Sequence, residues 1–352
     1  MALAVPPDHS ANAELQHALT CAVVVTYADR FALCAQVVRA LIAEEVGKIV
    51  IVDNASSARS RAALKCLALE CGERVELVNL ESNAGSAGGY GAGLHLARSY
   101  AIFEFVWLLD DDNVPEPGAL GELHRTRIEL EKVGFDHRLA LLSLRDHHPG
   151  MKAVARGLSP SLVFPSSSFL GFDIASFFPK VFGRLKLNLF RAQIANSPVT
   201  LPFCSYGGML LSTAVLDQLG YPDERLFVYA DDTELTFRLR QLGGLIMLVP
   251  TSRVRDIGIS WNEVEKAGNG LTRLLLADSD FRVFYSVRNC VFFESRLWAR
   301  SHFRYLLNRW TFMSIALVAS AFLLRTKRMT LIRRAVRDGE GGRLGRTFGD
   351  GI

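Results

Sequence analysis

Residues 105 to 117 read "FVWLLDDDNVPEP", an apolar run that ends in three adjacent carboxylates, Asp110, Asp111 and Asp112. Like charges side by side raise one another's pKa and destabilise their surroundings unless a cation or a proton offsets them. The run ahead of them is short and rich in Val, Leu and aromatic residues, which reads as a buried strand delivering its acids to one edge. Oxygen donors with no His or Cys beside them in sequence suit a hard ion, Mg2+ or Mn2+, rather than zinc. For the triplet alone the plainer reading is a solvated turn, with Asp112 or Asn113 capping the helix beyond Pro115.

Upstream, "CAVVVTY" (21–27), "KIVIVDN" (48–54) and "VELVNL" (75–80) also read as strands, as does "LALLSL" (139–144) downstream. Helical patterns such as "FALCAQVVRALIAEE" and "SRAALKCLALE" separate them, the alternation of a parallel sheet built from βαβ units. Near-continuous Val, Ile and Leu means that both sheet faces are covered. Open sheets of this kind bind ligands beyond the carboxyl ends of their strands. That rule gathers Thr26, Tyr27, Asp53, Asn54, the segment after Leu80 and Asp110 to Asp112 on one edge. Residues 146 to 205, rich in Ser, Pro and Phe without clean periodicity, are expected to be loops with short elements, His147 and His148 among them as solvated residues. From Tyr206 the pattern sharpens: a short apolar run, a helix capped by Ser212, a loop, a helix starting within "ADDTEL" and ended by Gly243 and Gly244, and the strand "LIMLVP".

The 352 residues allow one large domain or two ordinary ones. The opening "MALAVPPDHSANAELQ" lacks the basic start and apolar stretch of an export signal, so a cytosolic chain is expected. Six scattered cysteines without CxxC spacing are expected to be reduced core thiols. A net charge of +4 hides an asymmetry, because the segment from Arg282 onward holds fourteen Lys/Arg against four Asp/Glu, +10, which leaves −6 for residues 1 to 281. No nucleic-acid motif accompanies that basic end, so an anionic membrane surface is the expected partner.

Asp231, Asp232 and Glu234 form a second acidic cluster, in the first turn of a helix, where the helix dipole favours them as caps. An apolar "LFVYA" nonetheless delivers two carboxylates there, one to cap and one to face a cleft as a positioned base. In their order and surroundings the two clusters resemble the family 2 glycosyltransferases, most closely the bacterial rhamnosyltransferase and galactofuranosyltransferase branch. The matching pieces are "VVVTYADR", "IVDNASS", "ESNAGSAGGYGAG", "WLLDDDNVPEP", "GGMLLSTAVLDQLGYPDERLFVYADDTELTFRL", "FYSVRN" and "AVRDGEGGRLG". The resemblance implies an α/β GT-A fold with a mostly parallel sheet and a C-terminal helical extension. It implies residues 1–20 as an extension, 21–280 as the catalytic domain with its halves meeting near residue 145, and 281–352 as a basic, membrane-associated helical tail. It also implies a UDP- or dTDP-sugar donor held by Thr26, Tyr27, Asp53, Asn83, Gly85, Gly88, Gly89, Asp110, Asp111 and Arg288. Mg2+ or Mn2+ is implied on Asp110 and Asp112. Asp232 matches the base, with Asp231 and Glu234 as neighbours, and Gly207, Gly208 and Tyr285 lie on the acceptor side. The acceptor implied is lipid-linked or a polysaccharide.

Where the family often has a histidine completing the metal shell, this sequence has Asp256, which either serves as third ligand or pairs with Arg253 or Arg255. Thr311 to Leu324 is an apolar stretch of fourteen residues, short of the roughly 20 that span a bilayer. It reads as a helix lying in the membrane interface, or packed into the core or a homo-oligomer interface. The expected enzyme is peripheral, on the cytoplasmic face of the cell membrane. Two other classes are weighed against it: a nucleotide-sugar-binding protein without turnover, against which Asp232 argues, and an NAD(P)-dependent oxidoreductase. The glycines of "GSAGGYGAG" do not fall in dinucleotide-binding order after the first strand.

Overall fold

The computed structural model describes residues 16–145, 148–189, 193–258 and 270–348; the expectations for His147 and most of the N-terminal extension lie outside the described residues. Strands β1 (Thr20–Thr26), β2 (Lys48–Asn54), β3 (Val75–Leu80) and β4 (Phe105–Asp110) alternate with helices α1 (Phe31–Ala43), α2 (Ala58–Cys71) and α3 (Gly85–Ser99). Then come β5 (Asn113–Pro115), α4 (Ala119–Lys132), β6 (Leu139–Arg145), α5 (Pro149–Ala155), α6 (Pro160–Val163), α7 (Ile174–Leu189) and β7 (Val199–Thr200). The chain continues through β8 (Met209–Ser212), α8 (Leu216–Leu219), α9 (Asp231–Gln241), β9 (Leu245–Asp256), α10 (Gly270–Leu276), α11 (Asp280–Phe293), α12 (His302–Phe322) and α13 (Thr326–Glu340).

These strands form one nine-stranded sheet in the order β3-β2-β1-β4-β8-β6-β9-β5, with β7 also on β9. β8 runs antiparallel between β4 and β6, so β1, β2, β3, β4, β6 and β9 share a direction. Side chains alternate between the faces, as a strand's twofold period requires. Val23, Val50, Val52, Val106 and Leu108 join one apolar cluster, while Ala22, Val24, Ile49, Ile51, Trp107 and Leu109 join the other. Helices cover both faces, and the expected mostly parallel α/β architecture with a C-terminal helical extension is what the chain adopts.

Two local features aim the site. Pairing of β6 with β9 jumps from Ser143↔Val249 to Leu144↔Arg253. This bulge holds Pro250, which has no N–H to give a ladder. Beyond it β9 continues to Asp256, which lies opposite Asn113 of β5. A third apolar cluster joins Phe169 and Phe227 to residues of α11, α12 and α13, so the C-terminal helices share a core with the segment that leads into α9.

Some expectations need correction. The segment 146–205 holds a sixteen-residue helix, α7, as well as loops, and contains Pro179. Within it His148 caps α5, its Nδ1 accepting from Met151 N–H at 3.4 Å. Ser212 caps only a 3-10 turn, Thr213–Val215. All six cysteines are free thiols as expected, but Cys66 is exposed rather than in the core.

Helix α3 lies so close to the sheet that a Cβ on Gly93 would sit 2.3 Å from Val23 Cγ1, whereas one on Gly121 of α4 would meet nothing nearer than 3.5 Å. Gly93→Ala is therefore expected to lose about 1–3 kcal/mol by overpacking. Gly121→Ala should hold or gain up to about 1 kcal/mol through helix propensity. Urea unfolding of the two variants checks the difference.

Candidate active site

The end of β4 is a charge problem that the fold solves with two arginines. Arg30, at the start of α1, donates from Nε to both oxygens of Asp111 at 2.9 Å and from one terminal nitrogen to Asp111 Oδ1 and Asp112 Oδ2 at 2.7 Å. Thr26 donates its hydroxyl to Asp111 Oδ2 at 2.7 Å. Arg145, the last residue of β6, binds Asp256 Oδ1 at 2.9 and 2.7 Å and approaches Asp110 Oδ2 to 3.6 Å. Asn113 donates to the same Asp256 oxygen at 2.7 Å. Asp256 thus has Arg145 as a partner, one that neither sequence reading named. Burial still raises Asp111, to about 6, against the pull of Arg30 and Thr26. Asp110 is raised too, chiefly by burial, opposed by Arg145. It keeps 42% of its side chain open to solvent.

Helix α9 supplies the facing wall. The backbone entering it is strained: Phe227, Tyr229 and Ala230 all have left-handed φ, at +68°, +67° and +61°. Such conformations cost of order 1–3 kcal/mol each for non-glycine residues and persist only where surroundings impose them. Here Asn289 of α11 imposes them, its Nδ2 donating to Leu226, Val228 and Tyr229 carbonyls at 2.7, 2.7 and 3.0 Å. Ala87 of α3 donates its N–H to the Phe227 carbonyl at 3.1 Å. Gly85, at φ +72°, has no room for a Cβ, which would fall 1.9 Å from that oxygen.

The loop so held presents Asp231 and Asp232. Asp231 is buried, and its Oδ1 accepts from the Ser86 hydroxyl at 2.9 Å. Oδ1 of Asp232 accepts from the N–H of Thr233 at 2.6 Å, and its Oδ2 has no protein partner among the described residues. Both carboxyls are pushed up, first by burial; Asp231 then feels Asp232, and Asp232 feels Asp110, with Arg145 pulling the other way. The two acidic corners are thus close enough to act on one another. Between them Tyr90 donates to Asp110 Oδ1 at 2.8 Å and packs on Tyr206, ring centroids 4.1 Å apart.

Other expected residues divide into those near these corners and those elsewhere. Asp53 is fully buried, accepting from Arg61 Nε and Ser56 N–H at 2.7 Å. Asn83 Oδ1 accepts from Gly85 N–H at 2.8 Å, and Gly88 and Gly89 lie in α3, where a Cβ on Gly89 would press Val25 Cγ1 at 2.7 Å. Tyr27 lies beside the site, its ring 5.6 Å from the Arg30 guanidinium. Gly207 packs against Asn113 and Arg145, and Gly208 has φ +89°. Glu234 is turned along its own helix to Arg238 at 2.7 Å.

Arg288 and Tyr285 are both fully buried. Arg288 donates to the Gly345 and Leu226 carbonyls at 2.6 and 3.2 Å, and the Tyr285 hydroxyl accepts from Thr347 N–H at 2.7 Å. They tie the C-terminal strand of chain to the loop before α9. Arg30, Arg145, Ser86, Tyr90 and Tyr206 were missed as site residues. Applied to "LALLSL" as well, the strand-end rule would have reached Arg145, which closes β6 at the same edge as Asp110.

Fold and site define a class: an α/β protein whose ligand edge carries two neighbouring sets of carboxylates. The profile described as "Glycosyltransferase like family 2" matches residues 17–273, and the chain belongs to that family. A curated relative, the galactofuranosyltransferase GlfT1 of Mycolicibacterium smegmatis, is 28% identical over 232 residues, 64% of this chain and 66% of that enzyme. The chain thus spans slightly under two thirds of that relative's length. Among solved structures, GalNAc-T7 with UDP, GalNAc and Mn2+ aligns with TM-score 0.49 and 14% identity, covering 77% of this chain and 47% of that one. S. aureus TarS 1-349 aligns with TM-score 0.42 and 16% identity over 94% and 97% of the two chains.

The donor set fits a hard divalent ion. Asp110, Asp111, Asp112 and Asp256 bring four negative charges, Arg30 and Arg145 cancel two, and the remainder equals the charge of one such ion. Among the described residues no three His, Cys, Asp or Glu side chains are gathered as a ready cage. Mg2+ is commonly held by one or two carboxylates plus substrate phosphates, a role open to Asp110 and Asp112.

Two outcomes are expected here. Asn289→Ala removes a shared donor from three carbonyls of a strained loop, of which Leu226 keeps Arg288, and should cost roughly 1–3 kcal/mol, read as a lower urea midpoint. Asp231 has a folded pKa above its unfolded value of about 3.9, so its ionisation destabilises the fold. The penalty is absent below that unfolded value, grows as pH rises towards the folded one, and stays constant above it. Asp231→Asn should therefore raise Tm at pH 8, by an amount worth about 0.5–2 kcal/mol, and leave it nearly unchanged near pH 4.

Proposed function

We propose that the protein is an inverting glycosyltransferase of the GT-A type. It moves a sugar of the rhamnose or galactofuranose kind from a UDP- or dTDP-linked donor to a hydroxyl of a lipid-linked or polysaccharide acceptor in cell-surface glycan synthesis. The enzyme works at the cytoplasmic face of the cell membrane without crossing it. No helix among the described residues is long and apolar enough to cross a membrane. The observation that carries the proposal is the meeting of the two acidic clusters at the carboxyl edge of the sheet, Asp110 at the end of β4 and Asp231 and Asp232 at the start of α9, with Tyr90 between them donating to Asp110 and packing on Tyr206.

The roles follow from the chemistry. Asp53 and Thr26 lie at the strand ends that hold the nucleoside, and the glycines of α3 allow the donor backbone-close approach. A divalent ion on Asp110 and Asp112 would supply positive charge for the departing diphosphate. Asp232 Oδ2 takes the proton of the acceptor hydroxyl as that oxygen attacks the anomeric carbon from the face opposite the leaving group. One base and one displacement give inversion, with no covalent sugar intermediate. Burial serves the base, since a carboxylate raised from its ordinary value is better matched to proton abstraction near neutral pH. Asp231, held by Ser86, keeps the first turn of α9 in place beside it.

A panel of UDP- and dTDP-sugars with Mg2+ or Mn2+, followed by release of nucleoside diphosphate, tests the proposal. Asp232→Asn should lower kcat by about 10²–10⁴ while donor binding, measured by calorimetry, is retained. Turnover that survives this substitution removes Asp232 as base, and turnover of NAD(P)H in place of nucleotide sugar removes the proposal altogether. kcat/KM should rise with pH through a value above the ordinary carboxylate range, the direction in which Asp232 is shifted.

A further inference from the structure

Helix α12 is apolar on two opposite sides. Its inner side, Tyr305, Asn308, Phe312, Ala316 and Ser320, is buried against the third core. Half a turn away Phe303, Leu307, Trp310, Leu317, Val318 and Phe322 stand in solvent, Trp310 64% and Phe322 85% exposed. A helix hydrophobic all round is normally buried all round, and an exposed apolar patch of this extent marks an interaction surface.

A second helix starts at the same place. Asp173, just ahead of α7, accepts from Arg304 at 3.1 and 2.7 Å and from Asn308 at 2.9 Å, and the N–H of Ile174 donates to Asn308 Oδ1 at 3.1 Å. From that junction α7 exposes Phe177, Val181, Phe182 and Leu185, with Phe182 65% exposed. Phe177, Val181 and Leu185 lie four residues apart, which makes one helical stripe.

Charge identifies the occupant. From Ser295 to Arg337 the chain has ten Lys/Arg and no Asp or Glu; Arg304, Arg309, Arg328 and Arg334 pair with acids outside that stretch, while Arg300, Arg325, Lys327, Arg333 and Arg337 are exposed, and α7 has three Lys/Arg and again no acid. A second copy laid on this surface would bring positive against positive. Lipid phosphates would cancel the charge while the acyl boundary receives the apolar side chains. The geometry points to an anionic bilayer as the partner, with α7 and α12 together forming the docking surface and both lying along the membrane rather than through it. The uncharged run of fourteen residues begins at Thr311 and is helical as far as Phe322, a rise of about 18 Å, less than the roughly 30 Å of hydrocarbon. Trp310, near the start of that run, has the amphipathic ring suited to the headgroup level. This deepens the reading of a membrane-face enzyme, yet vesicle binding needs neither donor nor acceptor, so the two can fail separately.

Co-sedimentation of the full chain with phosphatidylcholine vesicles, with and without phosphatidylglycerol, tests the inference. Binding is expected only with the anionic lipid and should weaken as salt is raised. Trp310→Glu with Phe322→Glu, and separately Phe182→Glu, should each lower vesicle affinity about tenfold or more at unchanged Tm. Should an apolar variant fold poorly, Arg325→Gln with Lys327→Gln, which alters only exposed charge, should lower the anionic preference. Binding that ignores lipid charge, or survives the α12 substitutions, overturns the inference; survival of Phe182→Glu binding removes α7 from the surface. A chain that is dimeric in sedimentation velocity and becomes monomeric with these substitutions, without any vesicle binding, makes a second copy the occupant and overturns it too.

Discussion

Repulsion among carboxylates at the carboxyl edge of the sheet is the constraint around which the site is arranged. Asp110, Asp111 and Asp112 follow one another at the end of β4, and the β5–β9 pair brings Asp256 against Asn113. Left alone, four such groups would take up protons or push the edge apart. Arg30 and Arg145 sit on opposite sides of the cluster and divide it, one taking Asp111 and Asp112, the other Asp256 and the flank of Asp110. Asp111 is thereby made a structural anchor, with four polar contacts and little exposure. Asp110 is left as the open carboxylate. That division is more informative than the triplet itself, because it separates the acid that holds the floor from the acids that a ligand can reach.

The opposite wall depends on distant parts of the chain. Three left-handed residues in four would not persist in a free loop, and the donors that hold them come from α3 and α11. Asn289 does most of this by satisfying three carbonyls at once. Arg288 adds Leu226 and Gly345, which draws the C-terminal strand of chain into the same network. The helices after residue 280 are therefore support for α9 as well as an appendage. Disturbing them should be felt at Asp231 and Asp232 without any residue of theirs touching substrate.

How much of this the sequence disclosed follows from the range of each interaction. Strands β1 to β4 and β6 were legible to within a residue or so, because Val, Ile and Leu runs are a local signal and both faces of the sheet are buried. The two acidic clusters and the glycines of α3 were legible as motifs. The partners were not. Arg145 is one arginine among many until β6 is known to end at the same sheet edge as β4, with β8 between them, and Tyr206 gains meaning only by stacking on Tyr90. "FYSVRN" stood out, but the groups it binds in the fold lie about sixty residues away on either side, which no local pattern shows. Helix α7 was hidden by Pro179 and Gly183 within its span, local signals against a helix that tertiary packing overrides.

The tail shows why two readings that looked exclusive can both describe one helix. An apolar run of fourteen residues was read either as core or as membrane interface, since burying the same side chains twice is impossible. In α12 the apolar residues are divided by angle instead: those at 305, 308, 312, 316 and 320 turn inward, and those at 303, 307, 310, 317 and 318 turn outward. Composition counts both sets together, and only the helical phase relative to α11 and α13 separates them. The inward set fixes the phase, because Asn308 must meet Asp173 and the Ser167 carbonyl, two polar groups that leave little rotational freedom. With the phase fixed, the outward stripe cannot be withdrawn from solvent by rotating the helix, and only something outside the described fold can cover it.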